Sequence, residues 1–316
     1  MNKAILGLAL SVALLAGQAE AQTWRDKYKE LNFGIIPVET QTETMKSFDG
    51  FTAYAAKKLG VPVKIFTATE FIGINNALVA GQIQLGWTSP SAYAGTWLEC
   101  KACVEPIVTA TDKDGNLGYN SVLIVKTDSP YKSYEDLKGK IVARTEPNSQ
   151  SGYLVPTVDF SRMGKPVETY FNSPISGGHT QSVLGVLNGT YDAAFTWTTK
   201  GDGYGQIRTM IDKNMLKREQ IRVIWESSLV PPPPVIVRAD LPKDLKADLT
   251  KLFVELHKED MQAAEAVAHG KTQGFVPVDH KVYEPTVEMR KILRDTRNNS
   301  YAFGAARHRR AASVFL

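Results

Sequence analysis

Ser149 and Ser151 are the side chains whose positions most clearly suggest chemistry. They follow residues 141–143, an apolar stretch that predicts a strand, and they precede a predicted helix in which Gly152 permits close backbone approach. The first turn of a helix has unpaired N–H groups and a partial positive charge, so a small anion can bind there without a formal salt bridge. The pattern favours an oxyanion site, and simple capping of the helix by serine is the alternative.

His179 is a second candidate donor. It follows two glycines and begins an apolar helical face, so its ring could donate to an oxyanion at a helix start. A structural or surface histidine is the alternative. The residue 108 positions earlier is Phe71, which also stands at a predicted helix start.

An internal repeat connects these two positions. Residues 78–88 and 186–196 share a pattern of helix end, glycine, alternating strand, aromatic residue and threonine. Any junction of helix, glycine and strand gives part of this pattern, but the shared aromatic and threonine ending is harder to obtain by chance. We therefore expect each half of the chain to repeat one α/β unit and to direct a helix amino end at a common cleft.

Length and composition limit the class of protein. The 316 residues exceed one ordinary core and predict two compact domains. With 43% hydrophobic and 22% charged residues, the chain fits neither a disordered protein nor a polytopic membrane protein, and a net charge of +4 does not indicate a nucleic-acid partner. Part of that charge lies in residues 307–310, which we expect to be a solvated tail.

The amino terminus has the pattern of a secretory signal. Lys3 precedes an apolar stretch at residues 5–16, and alanines at positions 19 and 21 form a cleavage signal. Gln18 stands where lipoprotein processing needs a lipidated cysteine. We predict a signal peptide over residues 1–21 and a free protein in the periplasm.

Cys100 and Cys103 are the chain's two cysteines. In an exported protein this spacing favours a local disulfide across a surface turn. Zinc would need two more ligands, and the pattern around the pair is not that of a thioredoxin-like motif. A soft-ligand site for a thiophilic species such as arsenite is the remaining alternative.

A run of four prolines at residues 231–234 stands between two apolar stretches that predict strands, 221–225 and 235–237. Prolines set a stiff extended path, which favours a rigid crossover over an ordinary linker or a partner-binding motif. We predict a first lobe of residues 31–123 plus 235–316 and a second lobe of residues 124–234. Two chain crossings between lobes make a two-strand hinge.

Templates for catalysis do not fit. Gly270, Lys271 and Thr272 resemble the end of a phosphate-binding loop, but the required earlier glycine is Glu265. Ser151 lacks the glycines that frame a hydrolase nucleophile, and the other histidines form no ligand set for a metal. We predict a protein that is not an enzyme and has no cofactor and no metal.

Several stretches resemble the phosphonate, phosphite and hypophosphite receptors of ABC importers. They are residues 33–38, 68–73, 118–125, 146–153, 178–179 and 186–192. The resemblance covers roughly residues 33–241. It implies a two-lobed type II periplasmic binding protein of the α/β class, a Venus flytrap in which each lobe is a mostly parallel sheet flanked by helices. It also implies a small oxyanion ligand, an ABC permease in the inner membrane as partner, and a monomer.

By the same resemblance, the ligands of the phosphorus oxygens fall on five residues. They are Tyr119, Ser149, Gln150, Ser151 and His179.

The chain departs from this family where its aminoalkylphosphonate receptors hold the ligand's ammonium group. The family places a glutamate and an aspartate at positions that are Thr199 and Pro233 here, and a tyrosine where Phe71 stands. A buried unpaired ammonium is costly, so these departures disfavour an aminoalkyl ligand. With Trp197 near Thr199, we expect Phe71, Trp197 and Thr199 to form a more apolar part of the site.

A P–H bond accepts no ordinary hydrogen bond and suits such a wall, whereas phosphate would need acceptors for any P–OH. We therefore expect a reduced phosphorus oxyanion, with hypophosphite slightly ahead of phosphite. An alkylphosphonate receptor is one alternative. The other is a sensor that presents an arsenite-like oxyanion to a membrane histidine kinase.

Overall fold

The computed structural model describes residues 23–36 and 45–295. The predicted signal peptide at 1–21 and the basic tail at 307–310 lie outside the described residues. In the part that is described, no helix is both long enough and apolar enough to cross a membrane.

Ten strands of the described chain form two sheets, one of six strands and one of four. The six-stranded sheet has the order β10-β4-β9-β3-β1-β2, and the four-stranded sheet has the order β6-β7-β5-β8. The strands are β1 Leu31–Ile35, β2 Val63–Thr67, β3 Leu85–Trp87, β4 Val104–Ala110, β5 Asn120–Lys126, β6 Val142–Ala143, β7 Ala193–Thr198, β8 Ile221–Glu226, β9 Pro234–Arg238 and β10 Phe275–Pro277.

Helices flank both sheets. They are α1 Trp24–Lys27, α2 Asp49–Leu59, α3 Phe71–Val79, α4 Pro90–Glu99, α5 Val155–Arg162, α6 Val167–Tyr170, α7 His179–Leu187, α8 Gln206–Asp212, α9 Lys243–Glu259, α10 Met261–Ala268 and α11, residues 284–295. Helix α9 shows why they pack: five of its apolar residues recur at a spacing of three or four and are all buried. All five belong to the main core of the first lobe, which also contains Phe33 and Phe51.

The prediction of mostly parallel sheets needs correction, because both sheets are mixed. Strand β1 pairs in parallel with β2 and β3, and β6 pairs in parallel with β7. The other pairs are antiparallel: β9 with β3 and β4, β10 with β4, and β5 with β7 and β8. Chain direction gives the reason. β4 leaves the first lobe while β9 returns to it, and β5 enters the second lobe while β8 leaves it, so each outgoing strand lies beside a returning one.

The internal repeat that the sequence predicted is confirmed in the helices. Helices α3 and α7 are nine residues each and are offset by 108 positions at both ends. In each lobe the helix leads into a strand that is parallel to the first strand of the unit, β3 beside β1 and β7 beside β6. The amino ends of the two helices therefore hold equivalent places in the two lobes.

The two crossing segments lie side by side. Tyr119 and Val230 form an isolated antiparallel bridge, with N···O distances of 3.1 and 2.9 Å. The proline carbonyls beyond it are bonded as well, since Thr109 Oγ1 donates to the Pro233 carbonyl at 2.7 Å. Strand β5 pairs as a whole in the second sheet, so the predicted lobe boundary at residue 123 falls inside a strand and the crossing precedes residue 120.

Helix α11 corrects the predicted extent of the first lobe. Leu293 packs with Tyr153, Leu154 and Val158 of the second lobe, and Met289 packs against the same cluster. The chain therefore crosses the cleft a third time after the short 3₁₀ helix His280–Tyr283, and α11 lies against the second lobe. Residues 235–283 complete the first lobe.

Cys100 and Cys103 form a disulfide, as predicted, with their Cα atoms 5.5 Å apart. The pair lies at the carboxyl end of α4, with Cys100 as the cap residue. Ser89 and Pro90, at the other end of this helix, are near the cleft. The disulfide is therefore separated from the cleft by the length of α4.

Candidate functional site

A cavity of about 730 Å³ lies between the two sheets and takes its walls from both lobes. Of the eight residues that the sequence nominated, seven line it. They are Phe71, Tyr119, Ser149, Gln150, Ser151, His179 and Trp197.

Residues 149–152, here called the serine turn, follow β6 and open the helix that continues into α5. Ser149 is the cap residue, and its Oγ accepts a hydrogen bond from the Gly152 N–H at 3.1 Å. The first five residues, Gln150–Leu154, form a π-helical turn, a feature that often occurs at functional sites. Both serines are almost fully buried, so an anion at this turn would meet hydroxyl and N–H donors away from bulk water.

Gly152 is required by close packing at the base of the serine turn. A Cβ built at this position would lie 2.0 Å from Thr145 Oγ1 and 2.5 Å from Thr145 Cγ2. The Thr145 N–H also donates to the Gly152 carbonyl at 3.1 Å. The turn therefore lies directly on the residues that end β6, and only glycine fits there.

Tyr119 lies behind the serine turn. Its side chain is 4% exposed, burial raises its pKa well above the ordinary value, and a hydrogen bond with the Ser151 side chain acts in the opposite direction. The Ser121 hydroxyl donates to the Ser151 carbonyl at 2.6 Å and fixes the turn from below. The Tyr119 phenol therefore stays protonated at neutral pH and is available as a donor.

His179 is the first residue of α7, and Gly178 is its cap residue. Its Nε2 lies 3.2 Å from Ser149 Oγ and its Nδ1 lies 3.2 Å from Thr196 Oγ1. Burial lowers the pKa of His179 to about 4, so the ring is neutral at pH 7. A neutral imidazole ring has one N–H, which can be on either nitrogen because both neighbouring hydroxyls can donate or accept. The ring can therefore offer an N–H to an anion without gaining a charge.

Phe71 begins α3, the helix equivalent to α7, and an aromatic wall stands behind it. Its ring centroid lies 5.8 Å from that of Trp87, and Trp87 lies 4.4 Å from the His269 ring. On the opposite side Trp197 packs edge-on against Tyr119 at 5.0 Å. Two sides of the cavity are therefore aromatic, one formed by Phe71 and Trp87 and the other by Trp197.

Thr199 does not line the cavity, which corrects its place among the predicted site residues. Its hydroxyl accepts from the Tyr204 N–H at 2.9 Å and contacts the Tyr204 carbonyl at 3.2 Å. Both hydrogen-bonding directions are thus used within its own loop. Pro233, the other position at which the family has a carboxylate, does line the cavity.

Glu146 is a cavity residue that the sequence analysis did not single out. Its side chain is 7% exposed, and Oε1 accepts from the Phe71 N–H at 3.3 Å, so a carboxyl group of the second lobe meets the amino end of α3. Its Oε2 is buried without a hydrogen-bond partner. Glu146 lies three residues after β6, in the segment that leads into the serine turn, and a charged residue close behind a buried strand was the available signal.

Four of the eleven buried polar atoms that lack a hydrogen-bond partner in the described residues lie at this cavity. Thr145 Oγ1, Glu146 Oε2, Gln150 Oε1 and His269 Nε2 all belong to lining residues. Since buried polar groups are nearly always paired, such a cluster marks a place that a polar ligand or water completes. Within the described residues no group of His, Cys, Asp or Glu has the arrangement of a metal site.

Hydrogen bonds across the cleft connect the lobes around the cavity. The Ser89 hydroxyl of the first lobe donates to the Asn148 carbonyl of the second at 2.5 Å, whereas the bond from Gln150 Nε2 to Thr286 Oγ1, at 3.2 Å, joins the serine turn to α11. The Tyr204 hydroxyl donates to the Ala268 carbonyl. The serine turn is thereby held against the first lobe, so closure and the geometry of the site are linked.

Comparisons with known proteins agree with this geometry. A family model described as the periplasmic substrate-binding protein of phosphonate ABC transporters matches residues 33–283. The chain is 30% identical over 261 residues to the phosphonates-binding periplasmic protein of Escherichia coli strain K12, covering 81% of this chain and 73% of that protein. It is 27% identical to the phosphate-import protein PhnD of Mycolicibacterium smegmatis, covering 70% of this chain and 72% of that protein.

A solved structure is similar over most of its length. The binding protein component of an ABC phosphonate transporter from Pseudomonas aeruginosa matches with a TM-score of 0.70 at 26% identity, over 82% of this chain and 85% of that one.

Proposed function

The chain belongs to the family of periplasmic substrate-binding proteins of phosphonate ABC transporters, and from this premise we propose that it captures a small phosphorus oxyanion between its lobes. Members of this family are binding components of importers, not enzymes, and they act in the periplasm with a membrane permease as partner. The fold is that of a type II periplasmic binding protein, as the sequence predicted.

One observation carries the proposal: a single cavity contains the serine turn, His179 at a helix start, and the buried Tyr119 phenol. Each can donate to an oxygen, and two of them stand at helix amino ends, where anions are stabilised. Both lobes line the cavity, so a bound ligand favours the closed arrangement. That arrangement is the one we expect a permease to recognise.

The apolar part of the cavity supports a ligand with an apolar substituent on phosphorus. Phe71, Trp87 and Trp197 offer no acceptor for a hydroxyl, whereas a P–H or P–CH₃ group can lie against them at little cost. Reduced phosphorus, as hypophosphite or phosphite, and small alkylphosphonates therefore form the proposed ligand class. Relatives are named for phosphonates and for phosphate, so phosphate is the competitor to be tested.

Calorimetric titration with five ligands tests the proposal. We expect methylphosphonate and phosphite to bind with dissociation constants on the order of micromolar, a value typical of several charge-assisted hydrogen bonds after the cost of ordering. Hypophosphite, phosphate and 2-aminoethylphosphonate complete the series. If none of the phosphorus compounds bound below millimolar concentration, or if 2-aminoethylphosphonate bound tightest, the proposed ligand class would be wrong.

The sensor alternative predicts that the cysteines hold the ligand. We expect instead that replacing both Cys100 and Cys103 with alanine leaves the dissociation constant for methylphosphonate within about twofold, because neither residue lines the cavity. The disulfide joins cysteines only three positions apart, so its loss should lower the free energy of unfolding by about 2 kcal/mol, the low end for disulfides. Calorimetry on the double variant, with arsenite as a second ligand, checks this. Arsenite binding that is lost in the double variant would favour the sensor.

A further inference from the structure

Glu146 gives the cavity an acceptor that a simple anion cannot use. The side chain is 7% exposed and lines the cavity. Oε1 is occupied by the Phe71 N–H at 3.3 Å, while Oε2 is buried and has no hydrogen-bond partner. A carboxylate in this place repels an oxyanion unless a hydrogen lies between the two oxygens.

The surroundings of Glu146 favour such a shared hydrogen. Burial raises the pKa of Glu146, the nearby Glu70 carboxylate adds to this effect, and the Phe71 N–H and Asn148 oppose it. The other titratable groups that line the cavity are His179 and His269, both held neutral at pH 7 by pKa values lowered to about 4, together with Tyr119 and Lys213. The carboxyl group is therefore disposed to take part in a hydrogen bond as either donor or acceptor.

Gln150 provides a second observation that favours a ligand with a hydrogen to donate. Its Nε2 donates to Thr286 Oγ1 at 3.2 Å, which leaves its Oε1 as a second buried acceptor without a partner at the cavity. The two unpaired acceptors, Glu146 Oε2 and Gln150 Oε1, stand at either end of one short segment, residues 146–150. A ligand that satisfies either of them must carry a hydrogen on oxygen or nitrogen.

We infer that Glu146 shares one hydrogen with a ligand oxygen, and that the site thereby selects oxyanions that carry a P–OH group. This inference rests on the proposed function. Phosphite and alkylphosphonates in their singly charged forms bring such a hydrogen, whereas hypophosphite and alkylsulfonates have none. Within the proposed ligand class, Glu146 therefore moves the expected ligand from hypophosphite toward phosphite and methylphosphonate.

Methylphosphonate and methanesulfonate form a matched pair for the test. As monoanions they have the same charge and a similar tetrahedral shape, and besides the exchange of phosphorus for sulfur they differ by one hydrogen on oxygen. We expect wild-type protein at pH 6 to bind methylphosphonate at least about 100-fold more tightly than methanesulfonate, because a site built around a ligand O–H rejects an analogue that lacks it. Phosphite should exceed hypophosphite in the same way. Affinity for methylphosphonate should fall as pH rises through its second dissociation.

The variant Glu146→Gln removes the charge and keeps the shape. We expect it to bind methanesulfonate more tightly than wild type does and to reduce the 100-fold ratio to within about tenfold. Glu219→Gln, at an exposed position, is the matched control and should leave both affinities unchanged. Thermal unfolding checks that each variant is folded. If Glu146→Gln does not fold, the inference is tested by wild-type protein alone, through the ratio of its affinities for methylphosphonate and methanesulfonate and the pH dependence of that ratio.

The outcomes separate this inference from the proposed function. Failure of every phosphorus compound to bind wild type overturns the proposed function. Methylphosphonate binding with an equal affinity for methanesulfonate, or with a ratio that Glu146→Gln does not change, overturns the role of Glu146 alone. A preference for 2-aminoethylphosphonate over ethylphosphonate that disappears in Glu146→Gln also overturns it, because the carboxylate would then pair with an ammonium group.

Discussion

Replacing Ser149 with alanine should raise the dissociation constant for methylphosphonate by about 10- to 150-fold, which is the value of one charge-assisted hydrogen bond of about 1.5 to 3 kcal/mol. Ser149 has three roles at once. It is placed to donate to the ligand, it caps the Gly152 N–H, and it contacts His179 Nε2 at 3.2 Å. Loss of the hydroxyl removes one donor and also removes the contact that holds the His179 ring, which is the next proposed donor. We therefore expect an effect in the upper part of this range.

A matched control separates ligand binding from capping. Ser133 is the cap residue of a helical turn of the second lobe, Tyr134–Leu137, where it forms a capping box with Asp136, and it does not line the cavity. Ser133→Ala should lower stability by about 0.5–2 kcal/mol and leave the dissociation constant unchanged. Calorimetry and thermal unfolding on both variants give the two readouts. If Ser149→Ala lost stability but not affinity, the serine turn would be only a helix cap.

Replacing Gly152 with alanine should have a still larger effect on binding, because it displaces the whole serine turn. The added Cβ would meet Thr145 Oγ1 at 2.0 Å, and Thr145 is fully buried, so neither residue can give way without moving the backbone. We expect the free energy of unfolding to fall by about 1–3 kcal/mol, as for other overpacked sites. Two or more donors would lose their alignment, so affinity should fall by about 100-fold or more.

Two further variants make the Gly152 result specific. Gly95 lies within α4, and the nearest atoms that a Cβ there would meet are those of Arg290 at 3.6–3.7 Å, an ordinary contact distance, so Gly95→Ala should be neutral or slightly stabilising. Thr145→Ala combined with Gly152→Ala relieves the two shortest contacts and should recover part of the lost stability. A double variant no more stable than Gly152→Ala would show that the clash with Thr145 is not the cause.

Local features of the site were predictable because they depend on a few neighbouring residues. The start of α7 at His179 follows from the glycines before it, and the cap at Ser149 follows from a hydroxyl directly before the helix. The start of α3 at Phe71 and the Cys100–Cys103 disulfide are confirmed for the same reason. Each of these depends on contacts within about four positions along the chain.

The structure differed from prediction where distant segments meet. The mixed sheets arise because β9 returns between β3 and β4, and helix α11 lies against the second lobe through Met289 and Leu293. Apolar periodicity shows that a helix has a buried face but does not show which surface covers it. These placements depend on chain direction and on packing between residues far apart in sequence.

For function, the sequence by itself determined the family and the two helix amino ends, and it located the residues that we propose as donors in the serine turn, since all of these are recorded in local motifs. Only the tertiary structure decided which side chains share the cavity. It turned Thr199 away to pair with Tyr204, and it brought Glu146 to the Phe71 N–H across 75 positions of sequence. The physical reason is that a site between two lobes exists only after both have packed, so a buried acceptor such as Glu146 acquires its role there.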